Sequence, residues 1–408
     1  MRLLHTSDWH LGQHFMGKTR QAEHQALIDW LLDTVASQAV DAVLIAGDIF
    51  DTGTPPSYAR ELYNQLVERL HDAKVRLILL GGNHDSVAVL GESKNLLARL
   101  GTLVVPGAAE PAAHVHVLPR RDGTLGAVIG AVPYLRPRDL ISSEAGQSAE
   151  DKQRSLRDAL REHYAAVNAA CEAKISELGQ PLPRILTGHL TTVGASTSDS
   201  VREIYVGSLD AFPTADFPPA DYIALGHIHR PQRVGGHEHI RYSGSPIPLS
   251  FDEAAQSKEM LLIDLDPGGL QAVTALPVPR FQPLIALRSN LADLPAAIGK
   301  AAAEGSRDTP AWLEITLVED DYLADLPARV QAVCEGWPVE VLRLRRTRAS
   351  AARIDSVAQE TLDELSPDDV FARRLTLETL DDAQQQALKM RHDQILHTIT
   401  APDANAGD

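Results

Sequence analysis

The chain's 408 residues are 44% apolar and 23% charged, long enough for two or three domains with sizeable cores and ordinary for a globular protein. Its 38 basic and 55 acidic side chains leave a formal charge of −17; that argues against coating nucleic acid through a bulk positive field, though DNA stays open as a substrate because bound cations and local basic patches offset a global field. With no run near the ~18 apolar residues of a membrane span, no export leader in "MRLLHTSDWH" and only Cys171 and Cys334, a reducing cytoplasm is expected, without membrane contact or a disulfide framework.

The first ~250 residues alternate short apolar runs with amphipathic segments, which predicts an α/β layered domain. "RLLHTSD" reads as a first strand, and "EHQALIDWLLDTV" as a helix with Leu27, Ile28, Leu31, Leu32 and Val35 on one face. "DAVLIAGD" is a second strand, "SYARELYNQLVERL" a helix with Leu62, Leu66, Val67 and Leu70 inward, and "VRLILLGGN" a third strand. A longer helix is predicted over about 149 to 178, then the strands "PRILTGH" and "DYIALGH", with a strand and turn in "HIRYSGSPIPLSF". "PVPRFQPL" marks a composition shift near residue 277. Beyond it strands at 283–288, 311–318 and 339–345 alternate with helices at 291–303 and 323–334, the order of a small α+β domain. "RRTRASAARI" is a basic connector, and "SPDD" at 366–369 starts a helical tail running to about 399. Residues 1–276, 277–347 and 348–408 are thus expected as main domain, smaller domain, and linker with tail.

Predicted strands of the main domain end in one kind of chemistry. "HTSDWHLG" carries Asp8 and His10, "IAGDIFDTG" carries Asp48 with Asp51 behind it, and "GGNHDS" carries Asn83, His84 and Asp85. "LTGHLTT" adds His189, and "IALGHIHRP" adds His227 and His229. Ligands of open α/β sheets collect outside the carboxyl ends of strands, so these groups converge if the strands are neighbours. Such a set suits two-metal hydrolysis: two cations about 3.5–4 Å apart take a bridging carboxylate with imidazole and carbonyl donors on each side. Imidazole, carboxylate and amide oxygen together favour Mn, Fe or Zn over Ca or Mg.

D-x-H, G-D-x-x-D, G-N-H-D, G-H and G-H-x-H, in this order, resemble the calcineurin-like metallophosphoesterases. Within them the chain is similar, along its length, to the nuclease subunits of SbcCD-type complexes, through "TSDWHLGQ", "DTGTPPSYAR", "GNHDSV", "TGHLTTVGAS", "DYIALGHIHR" and "YSGSPIPLSFDE". The resemblance implies a layered β-sandwich flanked by helices, with an α+β capping domain that binds DNA and a helical tail that clasps the coiled coil of an SbcC-type ATPase. It assigns Asp8, His10 and His229 to one metal and Asn83, His189 and His227 to the other, with Asp48 bridging two Mn ions. His84 then protonates the departing oxygen and Asp85 orients His84 from behind, so both are expected to be catalytic. Double-strand 3′-to-5′ exonuclease and hairpin endonuclease activity is implied, by a homodimer within a heterotetramer, in DNA repair, replication and recombination. ATP hydrolysis is left to the partner, because no G-x-x-x-x-G-K-[ST] loop is present.

Blander readings stand beside these. Asp51 fits turn chemistry and is at best a support behind the ligands, while Asp85 also suits a cap for a helix starting at Ser86. "HVH" at 114–116 and "HEH" at 237–239 repeat the H-x-H spacing without a strand ending in Gly, and are read as surface pairs. His5 is read as a core histidine, and both cysteines as buried apolar groups. Arg343, Arg345, Arg346 and Arg348 form either a solvated face or a contact for DNA or an acidic partner. Val370, Phe371, Leu375, Leu388, Ile395 and Leu396 are spaced for burial, in this chain or in a partner's groove. A small-molecule phosphodiesterase or phosphatase of the same superfamily is the alternative function, since the same donors run the same displacement. A non-catalytic scaffold for an ATPase is the third, and it predicts missing donors.

Overall fold

The central strands Ala42–Ile45 and Tyr222–Gly226 are buried at every position, because both their faces are covered. A computed structural model of the chain describes residues 1–141, 148–196, 201, 211–318, 325–347, 371, 375 and 382–400. Two units are distinguished, residues 1–317 with 325–345, and residues 318–324 with 346–408. In the first unit one sheet runs, edge to edge, β14 (Gly269–Pro277), β13 (Glu259–Asp266), β1 (Arg2–Thr6), β4 (Ala42–Ile45), β5 (Arg76–Leu80) and β6 (Thr102–Val105). A second runs β11 (Gln232–Val234), β12 (His237–Tyr242), β10 (Tyr222–Gly226), β9 (Arg184–His189), β8 (Leu125–Gly130) and β7 (Val115–Pro119). β1, β4, β5 and β6 are mutually parallel, as are β8, β9, β10 and β12.

Alternation along each strand builds three cores. Leu3, Ala42, Leu44, Ile78 and Leu80 of the first sheet meet Ile129, Ile185, Tyr222 and Ala224 of the second. Leu4, Val43, Ile45, Leu77 and Leu79 point the other way, onto the helices Gln21–Ser37 and Ser57–Asp72. Val128, Leu186, Ile223 and Leu225 pack under the helix Ala149–Leu178. The layers are therefore helix, sheet, sheet, helix. Ser148 starts the long helix by accepting the Asp151 N–H at 3.1 Å, and Gly179, at φ 67°, ends it.

Expected strands and helices fall within a few residues of their predicted places, and the long helix covers 149–178 as read. β6, β7, β8 and the hairpin β13–β14 were not read from the sequence. The smaller sheet, β15 (Leu284–Ser289), β16 (Ala311–Val318) and β17 (Val339–Thr347), carries the helices Leu294–Ala302 and Leu326–Cys334. It joins the main layers through Phe15, Phe251, Leu284 and Trp312. Phe15 lies on a hairpin of β2 (His14–Phe15) and β3 (Lys18–Thr19), and its ring stacks on Trp312 with centroids 5.8 Å apart. The basic segment begins as strand: Arg343 and Arg345 sit on β17, 3.2 and 3.4 Å from Glu314. In the second unit the helix Asp382–Thr400 leaves Leu388 and Met390 exposed. Arg348, the "SPDD" start and Val370 lie outside the described residues, as do the side chains of Ile395 and Leu396. Among the described residues no helix is long and apolar enough to cross a membrane.

Candidate metal centre

Every donor singled out in the sequence leaves the carboxyl end of a strand: Asp8 and His10 after β1, Asp48 after β4, Asn83, His84 and Asp85 after β5, His189 closing β9, His227 and His229 after β10. Between Asp8 and His10 the Trp9 ring is buried in the helix-side core of one sheet; between His227 and His229, Ile228 is buried in that of the other. With the middle residue anchored, its two neighbours face the opposite way, into one cleft. Backbone bonds zip the first two loops together, from Asp8 N–H to Gly47 O (3.0 Å) and from His10 N–H to Asp48 O (3.1 Å). Asp8, His10, Asp48 and His227 all have positive φ, 55°, 48°, 50° and 93°. Such conformations cost about 1–3 kcal/mol each outside glycine and persist only where the surroundings enforce them. A Cβ on Gly82 would lie 2.1 Å from Asp48 Oδ1, so this loop approaches the carboxylate only because position 82 is bare.

Asp48 is the hub. Its Oδ2 lies 3.3 Å from His189 Nε2 and 3.6 Å from His10 Nε2, and its Oδ1 accepts the His84 N–H at 2.9 Å. Asn83 Oδ1 lies 2.9 Å from His189 Nε2 and 3.1 Å from His227 Nδ1. The donors fall into three groups whose atoms lie within 4.8 Å of one another: Asp8, His10 and His229; His10, Asp48 and His84; and Asp48, His189 and His227. Supports outside fix the rings. His10 Nδ1 faces Asp51 Oδ1 at 3.1 Å, His189 Nδ1 faces Ala46 O at 2.9 Å, and His229 Nδ1 faces Glu253 Oε1 at 3.1 Å. With Nδ1–H donating outward, each ring turns its Nε2 lone pair into the cleft.

This arrangement fits a divalent cation. His10 Nε2 and His227 Nε2 are buried with no hydrogen-bond partner among the described residues, and Asn83 Oδ1, Asp48 Oδ2 and the His189 Nε2 lone pair converge. Lone pairs facing one another in a dry cleft are unfavourable until a proton or a cation joins them. Burial opposes charge on His189, yet Asp48 outweighs it and lifts the ring to about 9. Burial likewise resists ionisation of Asp48, but the rings of His189, His10 and His84 hold its carboxyl well below the usual range. The pocket's field thus favours positive charge at its centre. Two groups of imidazole and carboxylate or amide oxygen sharing Asp48 match the chemistry of first-row transition ions better than that of Ca or Mg.

One expectation needs correcting. Asp85 does not stand behind His84: its carboxylate accepts the backbone N–H groups of Gly82 (2.8 Å), Phe50 (2.9 Å) and Ile49 (3.1 Å), clamping the β5 loop to the β4 loop. A buried carboxylate turns toward the densest set of amides, and here those belong to the backbone. The ring of His84 is held by Asp51, whose carbonyl O lies 2.7 Å from Nδ1. Asp51 thereby supports both His10 and His84, a larger part than turn chemistry suggested. Glu253 and Lys258 were missed; both are buried, 2.6 Å apart, with Lys258 Nζ also donating to His229 O at 2.9 Å. The only hint was an acid closing "YSGSPIPLSFDE" on a lysine five residues later. His237 is exposed and His239 half-buried, but His114 is buried, with its ring 5.3 Å from that of His163 on the long helix. His5 is a buried core residue, its Nδ1 2.9 Å from Tyr222 Oη.

Comparison with known proteins bears on the same residues. Residues 1–231 match the family model described as calcineurin-like phosphoesterase, and residues 280–379 match the one described as type 5 capsule protein repressor C-terminal domain. The chain is 52% identical over 401 residues to the D subunit of the nuclease SbcCD from Escherichia coli (strain K12), covering 98% of each chain. It is 33% identical over 387 residues to the D subunit of the nuclease SbcCD from Rhodobacter capsulatus, covering 91% of this chain and 94% of that one. With the protein of the same name from Bacillus subtilis (strain 168) it shares 32% over 329 residues, 79% of this chain and 81% of the relative.

Proposed function

The chain belongs to the calcineurin-like phosphoesterase family and, within it, to the D subunits of SbcCD nucleases, and from that premise we propose that it cuts DNA as the nuclease component of a complex with an SbcC-type ATPase. It is a phosphodiester hydrolase. The convergence on one cleft of Asp8, His10, Asp48, Asn83, His84, His189, His227 and His229 supports the hydrolytic chemistry; the observation that carries the DNA reading is the 52% identity, over 98% of the chain, to a named nuclease subunit.

Asp8, His10 and His229 would hold one divalent ion and Asn83, His189 and His227 a second, with Asp48 between them; the donor set suits Mn, Fe or Zn, and Mn is our choice among these from the resemblance to SbcCD-type nucleases. Bound there, such ions supply an activated water and neutralise charge on the phosphate. The strained loops fix the donors before substrate arrives, so little reorganisation is left for the chemical step. Water oxygen bonds to phosphorus as the bond to the 3′ oxygen breaks, leaving a 5′ phosphate. His84, its Nδ1–H held by the Asp51 carbonyl, gives the proton on Nε2 to the departing oxygen.

Residues 1–276 would form the nuclease domain, 277–347 a capping domain that contacts DNA, and 348–408 a linker and tail. Leu388 and Met390, exposed on the helix Asp382–Thr400, suit docking in a groove of the partner's coiled coil. A homodimer within a heterotetramer, acting on the chromosome in the cytoplasm as a 3′-to-5′ exonuclease and hairpin endonuclease in repair, replication and recombination, completes the reading. Mn-dependent digestion of an end-labelled hairpin duplex, with and without the ATPase, tests it: opened hairpins and mononucleotides support it. Rapid hydrolysis of nitrophenyl phosphate with intact DNA would replace it by a phosphatase.

A further inference from the structure

At the other end of the first sheet lies a cleft of about 530 Å³ that the mechanism does not use. Its walls carry Lys74, Arg76, Arg99, Arg120 and Arg121 against one acid, Asp41. Arg76 opens β5 and Asp41 immediately precedes β4, whereas Asp48 and Asn83 follow the far ends of those strands. At ~3.3 Å per residue, a five-residue strand puts the cleft roughly 15 Å or more from the metal centre.

Four features set this cleft apart from a scatter of surface cations. The chain as a whole carries −17, so five basic groups around one hollow run against its field. Asp41 is already committed, one oxygen accepting the Arg2 N–H at 2.7 Å and the other the Arg121 N–H at 3.0 Å. Among the described residues Lys74, Arg76, Arg99 and Arg120 join no ion pair, while Arg2, Arg184 and Arg329 each meet an acid within 2.8 Å. Arg120 Nε, moreover, is buried and has no hydrogen-bond partner among those residues. Five cations against the single carboxylate of Asp41 leave an excess of positive charge whose mutual repulsion a bound anion reduces. Guanidinium forks match the tetrahedral oxygens of phosphate in geometry and charge.

We propose that this cleft is a second anion site, which grips a phosphate of the DNA backbone away from the point of cleavage. Contacts there would hold the nuclease on duplex without reading bases. The choice of DNA rests on the proposed function, while the phosphate chemistry does not, and a free nucleotide would present the same group.

The test compares the full-length chain with Arg76→Gln/Arg99→Gln/Arg120→Gln and with the single Arg120→Gln, which covers a folding failure of the triple. Fluorescence anisotropy with labelled duplex in EDTA is read across a NaCl series, and melting is followed with dAMP and with inorganic phosphate. Each lost phosphate contact lowers the slope of log affinity against log salt by about 0.9, so the triple should lose about 2–3 from that slope and bind duplex at least tenfold more weakly at low salt. If instead dAMP and phosphate raise the wild-type melting point but not the variants', with duplex binding unchanged, the source is a free phosphate. If neither duplex binding nor those melting shifts change, the cleft is no phosphate site. Mn-dependent hydrolysis of bis(p-nitrophenyl) phosphate reports on the centre alone: its absence from the wild type would count against the proposed function and leave the salt slopes standing.

Discussion

His229 and Glu253 meet at 3.1 Å, both buried, and the second oxygen of that carboxylate lies 2.6 Å from Lys258 Nζ. The glutamate thus fixes a ring at the cleft while a buried cation compensates its charge. Glu253→Gln should weaken metal binding about 10–100-fold, the usual cost of losing a carboxylate behind a ligand histidine. It also strands Lys258, and breaking a buried pair costs about 3–5 kcal/mol. Glu253→Gln/Lys258→Met separates the two effects: titration calorimetry with Mn should still show weak binding although urea stability returns. Recovery of both would mean that the pair only supports the fold.

Removing the hub and removing the acid should differ. Asp48→Ala is expected to lose both metal and cleavage. His84→Ala should keep its metal, measured by elemental analysis, and cleave about 10²–10⁴-fold more slowly. Normal cutting by His84→Ala would dismiss the ring as proton donor.

Asp85→Asn distinguishes a loop clamp from a catalytic partner. The amide keeps one acceptor oxygen where the carboxylate served three backbone amides, so urea denaturation should show a loss of about 1–3 kcal/mol. Unaltered stability with a displaced pH–rate profile would restore Asp85 to a role beside His84.

Three histidines away from the cleft's donor set predict acid sensitivity. Burial holds His5 and His24 at about 3 and His114 at about 4. All are depressed from 6.5, so the unfolded chain binds more protons once the pH falls below that value. Stability therefore drops as pH falls from 6.5 toward the folded values, by up to about 1.4 kcal/mol per pH unit for each ring, and these rings contribute no slope above 6.5. Urea titrations of metal-stripped protein at pH 7.5, 6 and 5 measure the slope, and His114→Asn should reduce it by one proton. An unchanged slope would show that His114 takes up its proton in the folded state.

How much of this was readable from sequence depends on the range of the interaction. β1, β4, β5, β9 and β10 announce themselves as apolar runs closed by a polar motif, and the donors stand next in the chain, so strand and site are one local signal. β7 is interrupted by His116 and Pro119, β8 contains Gly126 and closes on no polar motif, and β13 and β14 form a hairpin whose outer strand is half-exposed; no clean period marks them. Asp85 sits beside His84 in sequence, yet two of its three partners, Ile49 and Phe50, come from another loop. Glu253 and Lys258 are ordinary surface types until burial pairs them. His114 looked exposed because nothing in its own segment shows that the long helix, itself legible, packs against it.

Asp48 comes from one six-stranded sheet and His189, 3.3 Å away, from the other. A cation held by the proposed donors would cross-brace the halves of the sandwich, because those donors run from Asp8 to His229. Occupancy would then stabilise the folded chain as well as enable turnover, the stabilisation being about 2.7 kcal/mol when free ion exceeds its dissociation constant a hundredfold. A cell short of that ion would forfeit the folded protein to its proteases along with the activity, so trace-metal supply would govern how much of the nuclease exists.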